Sequence, residues 1–339
     1  MSYKATLQPS GHTFEVRPSQ TILEAAIEAG INLPYGCRNG ACGACKGKVL
    51  QGEIFHNQYQ SSALKESELA AGYALFCCAH AQSNLDIECR EIMAQGIPPR
   101  ILPTRIEKLE KLNHDVMRIL LKLPSNERLQ FMAGQYIEFI LKDGKRRAFS
   151  IANAPHDDNF LEFHLRLIPG GQFTEYVFNE MSEKTILRVE APLGNFYLRE
   201  DSQKPIIFVA GGTGFAPIKG IIEHMIHTHN TRQIYLYRGV RSLQDLYLPD
   251  LPTQWQKANP NIKVINVLSE PQVTDMWQGR TGLIHQAVLD DFTNLTAYQI
   301  YCCGAPAMVD IAHTAFQQQG LPAEDFFSDA FTFANPIAK

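Results

Sequence analysis

The sequence lacks a membrane span, a strong excess of either charge sign, and any repeat. No run of 18 apolar residues occurs in its 339 positions, so no transmembrane helix is expected. A formal net charge of −4 argues against nucleic acid as a partner. Met1–Ser10 is polar and lacks the apolar stretch of an export signal, so a cytoplasmic chain is expected. No internal repeat or low-complexity segment breaks the pattern. A hydrophobic content of 45% and a charged content of 19% are those of an ordinary globular protein. The chain is too long for one ordinary core and suits two or three domains.

Cysteine is what the sequence does have. Of eight cysteines, Cys37, Cys42 and Cys45 are spaced C-x4-C-x2-C, and Cys77 follows after 31 intervening residues. A chain without an export signal does not usually form structural disulfides, so clustered thiols point to metal or catalysis. A zinc ribbon prefers two C-x2-C knuckles, and only Cys42–Cys45 is one. The spacing is that of a plant-type [2Fe–2S] cluster, a low-potential carrier of single electrons. The loop Pro34-Tyr35-Gly36-Cys37-Arg38-Asn39-Gly40-Ala41-Cys42-Gly43-Ala44-Cys45 is rich in small residues. Small side chains let backbone N–H groups reach the sulfurs. Cys77 and Cys78 compete for the fourth position. Cys89 lies in an alternating strand pattern and reads as a small core residue, as does Cys302 at a strand end.

Three segments follow one another. Residues 1–92 hold a short hairpin around Ser10-Gly11 and then Thr21-x-x-Glu24, a capping box that opens a helix closed by Gly30. This segment is mildly acidic, weak support for electrostatic steering toward a basic partner. Residues 93–100 form a linker stiffened by Pro98 and Pro99. Residues 101–199 carry evenly spaced strands over 101–108, 116–123, 136–141, 160–167 and 185–190, with one helix over 172–181, which suggests a barrel. Residues 200–339 alternate apolar strands (205–210, 234–237, 262–268, 299–303) with helices, among them 218–227. That alternation argues for a parallel sheet covered on both faces.

Between the first strand and first helix of the third segment stands Gly211-Gly212-Thr213-Gly214-Phe215-Ala216-Pro217. Glycines allow a pyrophosphate to approach the backbone, and a helix N-terminus offers it free N–H groups. Pro217 replaces the third glycine of the dinucleotide fingerprint, and proline is comfortable in a first helical turn.

The turn G-G-T-G-x-A-P resembles that of the ferredoxin–NADP reductase superfamily. Four further motifs occur in the family's order: Phe131-x-Ala133-Gly134-Gln135-Tyr136, Arg147-Ala148-Phe149-Ser150, Gly171-Gln172-Phe173-Thr174 and Cys303-Gly304-Ala305-Pro306. Ahead of them, Gly72-Tyr73-Ala74-Leu75-Phe76-Cys77 resembles the G-Y-x-L-x-C segment of plant-type ferredoxins, which makes Cys77 the ligand and Cys78 its neighbour. The match spans nearly the whole chain. It is similar to the reductase components of bacterial oxygenases, such as phenol hydroxylase and benzoate dioxygenase, and to the reductase of the CDP-6-deoxyhexulose dehydrase system.

The resemblance implies a multidomain fold: a ferredoxin-like β-grasp α+β domain, an antiparallel β-barrel FAD domain and an α/β parallel-sheet NAD(P)-binding domain. FAD rather than FMN is inferred from the domain order, with the ferredoxin part first. The implied metal ligands are Cys37, Cys42, Cys45 and Cys77. Arg147 is expected to pair with the flavin pyrophosphate, a task that suits a guanidinium. Ala148 belongs to the same motif, Phe149 is expected at the flavin ring and Ser150 at its reactive nitrogen. Gly171 and Thr174 open a second phosphate-binding helix, with Arg166 nearby. Gly211, Gly212, Thr213, Gly214 and Pro217 are expected at the dinucleotide, and Cys303 and Gly304 beside the nicotinamide. Asp329 is implied as the acidic residue near the flavin and Phe331 as the stacking ring, with Phe333 a rival. NADPH-using relatives grip the 2′-phosphate with a Ser-Arg pair; here Ser269-Glu270 stands in that place. A carboxylate repels a phosphate and accepts from a ribose hydroxyl, which favours NADH. Arg238 and Arg241 weigh toward NADPH.

The expected function is an electron-transfer reductase that takes hydride from NAD(P)H and passes single electrons to a separate protein, an oxygenase or hydroxylase component. A sugar-nucleotide dehydrase is the alternative acceptor. A redox-sensing subunit is the alternative of another class, and a free flavin reductase would leave the cysteines without a use.

Overall fold

The structure, a computed structural model, describes residues 2–89 and 97–331. The described residues divide into two compact units, one of those up to Pro98 together with Phe331, the other Pro99–Ala330. Residues 93–96 of the expected linker lie outside the described residues, as does Phe333.

In the first unit, strands Tyr3–Gln8 and Thr13–Val16 pair as the expected hairpin. The next element is the helix Ile22–Glu28. Thr21 accepts from the Glu24 N–H at 3.2 Å, and the Glu24 carboxylate accepts from the Thr21 N–H at 2.9 Å, so both members of the capping box are made. Gly30, at φ +75°, turns the chain away after it. Leu85–Glu88 returns parallel to the first strand and completes a five-stranded sheet with Lys46–Gln51 and Tyr73–Leu75. Ile22, Leu23, Ala25 and Ala26 of the helix bury against Leu7, Val16, Phe76 and Ile87 of the sheet side. This is the β-grasp arrangement expected.

The second unit holds two sheets. The first is antiparallel, in the order Arg146–Ser150, Tyr136–Ile140, Ile186–Leu193, Arg100–Lys111, Val116–Lys122, Leu161–Arg166. Its outer strands meet just past Ser150, where the Ala152 N–H donates to the Glu162 carbonyl at 2.8 Å, so the sheet curls toward closure. Phe139 and Phe163 fill its inside, and Phe173 of the helix Gln172–Asn179 plugs one end.

The other sheet is all parallel: Arg280–Thr281, Ile262–Leu268, Ile234–Val240, Ile206–Gly211, Gln299–Gly304, Phe326–Ala330. Strand order reverses between Ile206–Gly211 and Gln299–Gly304, and a ligand crevice opens at such a switch point, beyond the strands' carboxyl ends. The helix Phe215–His227 follows the glycine turn. It starts three residues before the expected 218, because Pro217 fits inside its first turn, where its missing N–H leaves no bond unmade.

Candidate functional site

The thiol loop is shaped by left-handed turns and close backbone approaches, most of them at glycine. Arg38, Gly40 and Gly43 have φ of 58°, 74° and 74°. A Cβ on Gly40 would stand 2.7 Å from the Cys78 sulfur and 2.7 Å from Tyr59 Cβ, and one on Gly36 would stand 3.1 Å from the Cys42 sulfur. With no side chains in the way, backbone N–H groups turn inward. The Cys37 N–H donates to the Cys42 sulfur and the Ala41 N–H to the Cys37 sulfur, both at 3.3 Å.

The four sulfurs approach in two pairs, Cys37 with Cys42 and Cys45 with Cys77. Donation from Cys42, with help from the Asn39 and Ala41 N–H groups, lowers the Cys37 pKa to about 6. Donation from Cys45 and Cys78, with help from the Gly40 N–H, lowers that of Cys77 to about 4. Donating to those partner sulfurs, and after that burial, pushes Cys42 and Cys45 the other way. A single tetrahedral zinc, with each sulfur about 2.3 Å away, would bring all four sulfurs within about 3.8 Å of one another. Among the described residues, the one group of three or more metal-binding side chains within 4.8 Å is instead His114, Asp115 and Asp245. A two-plus-two set with inward N–H groups therefore fits a two-iron cluster and does not fit one zinc ion. Cys78 lies 3.6 Å from Cys77, sulfur to sulfur, and is buried, as is Cys89.

In the second unit, Ser150 ends its strand with its Oγ donating to Asp329 Oδ2 at 3.2 Å. These two residues are far apart in sequence and meet because the last parallel strand places Asp329 beside Cys303. Burial raises the Asp329 pKa to about 6, against the lowering effect of the Ser150 hydroxyl. Cys303 is fully buried, and burial together with the Asp329 charge pushes its thiol up. Cys302 is fully buried too, as expected of a core residue. Arg147 and Phe149 lie on the opposite strand face from Ser150 and are half-buried, while Ala148 is exposed. Phe149 rests edge-on against Phe139, with ring centroids 5.8 Å apart. Gly171 is the N-cap of the helix Gln172–Asn179. The Thr174 hydroxyl turns back on that loop, accepting from the Ile168 N–H at 3.1 Å.

The glycine turn packs directly on Cys303. A Cβ on Gly214 would sit 2.1 Å from the Cys303 carbonyl oxygen, and one on Gly211 2.5 Å from Met308 Sδ. Gly212 has φ +54° and Gly304 φ +149°. Arg166 donates from Nε to Asp115 Oδ2 at 2.7 Å, and its Nη1 would be 3.6 Å from a Cβ on Gly212. It therefore borders the dinucleotide turn. The exposed pair Arg241 and Glu270 is joined through backbone, the Glu270 N–H donating to the Arg241 carbonyl at 2.7 Å. Arg238 requires a correction. It is 2% exposed, donates to the Tyr247 carbonyl and stacks on Phe215 with its guanidinium carbon 3.9 Å from the ring centroid, so it cannot meet a 2′-phosphate. Phe331 follows the last strand, is half-buried and groups with the first unit. Sequence reasoning missed Lys219 and His164, both buried. The signal available was a lone lysine in the apolar run Phe215-Ala216-Pro217-Ile218-Lys219-Gly220-Ile221-Ile222.

Comparison with known proteins agrees with this geometry. Residues 5–82 match the family model of the 2Fe-2S iron-sulfur cluster binding domain, 103–197 that of the oxidoreductase FAD-binding domain and 208–314 that of the oxidoreductase NAD-binding domain. The chain is 37% identical over 332 residues to the CDP-6-deoxy-L-threo-D-glycero-4-hexulose-3-dehydrase reductase of Yersinia pestis, covering 98% of this chain and 99% of that one. It is 34% identical over 340 residues to the phenol hydroxylase P5 protein of Acinetobacter pittii, covering 98% and 96%. A crystal structure of a cytochrome P450 reductase from Amycolatopsis superposes with a TM-score of 0.83 at 31% identity, covering 98% of this chain and all of that one. The chain belongs to the ferredoxin–NAD(P)H reductase superfamily, in the three-domain form that places a [2Fe–2S] domain ahead of FAD- and NAD-binding domains, and it is an electron-transfer oxidoreductase.

Proposed function

We propose that the chain takes hydride from NADH at the Ser150–Asp329–Cys303 crevice and delivers single electrons, from a cluster held by Cys37, Cys42, Cys45 and Cys77, to a separate acceptor protein. When bound, FAD and the cluster supply the change from a two-electron to a one-electron carrier. The observation that carries this reading is the meeting of Ser150 with Asp329 at the switch point of the parallel sheet. Gly211, Gly212, Thr213 and Gly214, with Pro217 behind them, would hold the dinucleotide pyrophosphate. Gly304 gives the nicotinamide room beside Cys303. Arg147, Gly171 and Thr174 would hold the flavin phosphates and Phe149 its ring, with Phe331 as covering aromatic. Arg166 would add positive charge between the two nucleotides. Asp329, poised near pH 6, holds or releases a proton at Oδ2 through the Ser150 hydroxyl.

The domain limits in this reading are 1–92, 101–199 and 200–339, with 93–100 as linker. A cytoplasmic setting is part of the same proposal, supported by cysteines that form no disulfide with one another and cluster where a metal group would be held. The acceptor would be an oxygenase or hydroxylase component, as the name of the Acinetobacter relative suggests. A sugar-nucleotide dehydrase is the second reading, supported by the 37% identity to the Yersinia reductase.

Steady NADH-driven reduction of cytochrome c by the purified holoprotein tests the relay; its absence, with flavin and cluster in place, would leave only a sensing role. For coenzyme choice, Glu270→Arg should move the NADH/NADPH ratio toward NADPH by about tenfold, the worth of one good charged contact. An unchanged ratio would remove Glu270 from the ribose site.

A further inference from the structure

The helix that starts at the dinucleotide turn carries a buried lysine one turn in. Lys219 is 6% exposed. Its ammonium group has three protons and three acceptors: Glu223 Oε2 at 2.9 Å on the same helix, Glu162 Oε2 at 3.2 Å and the Ala152 carbonyl at 3.2 Å. Ala152 lies two residues past Ser150, and Glu162 is the second residue of the barrel strand Leu161–Arg166. The next helical residue, Gly220, lies so close that a Cβ there would stand 2.9 Å from the Asn153 carbonyl oxygen. The helix backbone therefore sits directly on the segment that follows Ser150.

The contact continues around a closed circuit. The other oxygen of Glu162 meets His164 Nε2 at 2.8 Å, and His164 Nδ1 meets the Tyr247 hydroxyl at 3.1 Å. The Tyr247 carbonyl accepts from Arg238, and Arg238 stacks on Phe215, the first residue of the same helix. Burial pushes the Glu162 carboxyl up, yet His164 and Lys219 together hold its pKa at about 2. Burying so many charges is a poor way to gain stability, because a well-packed apolar cluster does as well or better. What a saturated ammonium group adds is direction: Glu223 orients it from the same helix, and its two acceptors outside the helix, Glu162 and the Ala152 carbonyl, leave the helix one position against the barrel.

We propose that Lys219 is a positioning residue that sets the distance between the dinucleotide turn and Ser150, and so between hydride donor and acceptor. This rests on the function proposed above, in which NADH reduces the flavin at Ser150. Hydride transfer needs near-contact geometry, and a misplacement of about 1 Å costs about a hundredfold in rate.

The test uses the full-length holoprotein, mixed anaerobically and rapidly with NADH. In Lys219→Met, the limiting rate of flavin bleaching should fall by ten- to a hundredfold, while the Kd for NADH changes by less than about threefold. Flavin content and cluster absorbance should match the parent protein. Gly220→Ala, which retains every charge and presses the helix off Asn153, should show the same split and serves if the lysine variant does not fold. A parent-like limiting rate in the folded variants, however far their Tm falls, would overturn the proposal, as would a loss confined to Kd. A parent protein whose flavin NADH does not bleach would instead refute the function on which the proposal rests.

Discussion

The thiol loop and the crevice at Ser150 are built in opposite ways. The loop is local: three of its four sulfurs lie within nine residues, and its shape comes from Gly36, Gly40 and Gly43 clearing space for backbone N–H groups. The crevice is assembled from distant segments: Ser150 meets Asp329, Gly214 meets Cys303, and Lys219 meets Glu162. A local site is specified by spacing and small residues. A distant one depends on sheet register and on the packing of one helix. The two should therefore fail independently.

Cys77→Ser should give the largest effect. It removes one sulfur of the Cys45–Cys77 pair, so the cluster's visible absorbance should be lost and cytochrome c reduction should fall by a hundredfold or more, with NADH-to-ferricyanide activity kept. Loss of both activities together would break the comparison. Gly214→Ala tests the other side. Its Cβ meets backbone at 2.1 Å, so the turn or Cys303 must shift, at a cost of about 1–3 kcal/mol. NADH-driven ferricyanide reduction should drop by about tenfold, with cluster absorbance unaltered.

The smallest effect is a pH dependence. The folded pKa of Asp329, about 6, lies above the ordinary 3.8. Its neutral form is favoured in the fold, so the stability it contributes is complete below about pH 4 and is lost as pH rises through 6. Asp329→Asn should therefore be more stable than the parent above pH 6, by about 1 kcal/mol once the shift is discounted for a partly exposed carboxylate, and equal to it near pH 4. Melting temperatures across that range measure it, and a constant difference would remove Asp329 from the titration.

Legibility followed the same division. The cysteine spacing, the capping box at Thr21 and the strand Ile262–Leu268 could be read from the residues, because each depends on near neighbours. The contact of Ser150 with Asp329 could not, since nothing in either segment encodes the register that joins them. The family resemblance supplied both residues without their contact. Arg238 misled because an arginine near an exposed one reads as surface, whereas the turn after its strand brings Tyr247 over it and Phe215, from the preceding helix, stacks on it. Lys219 was hidden by its own surroundings, an apolar run that reads as core.

The central claim is that the crevice and the thiol loop act in series, hydride first and single electrons after. Anaerobic rapid mixing of the holoprotein with one equivalent of NADH, followed at flavin and cluster wavelengths together, tests it most directly. Flavin bleaching should precede cluster bleaching in the parent protein, and in Cys77→Ser the first phase should remain at the parent rate while the second disappears. Cluster bleaching that leads the flavin, or a first phase that slows with the cysteine substitution, would contradict the account.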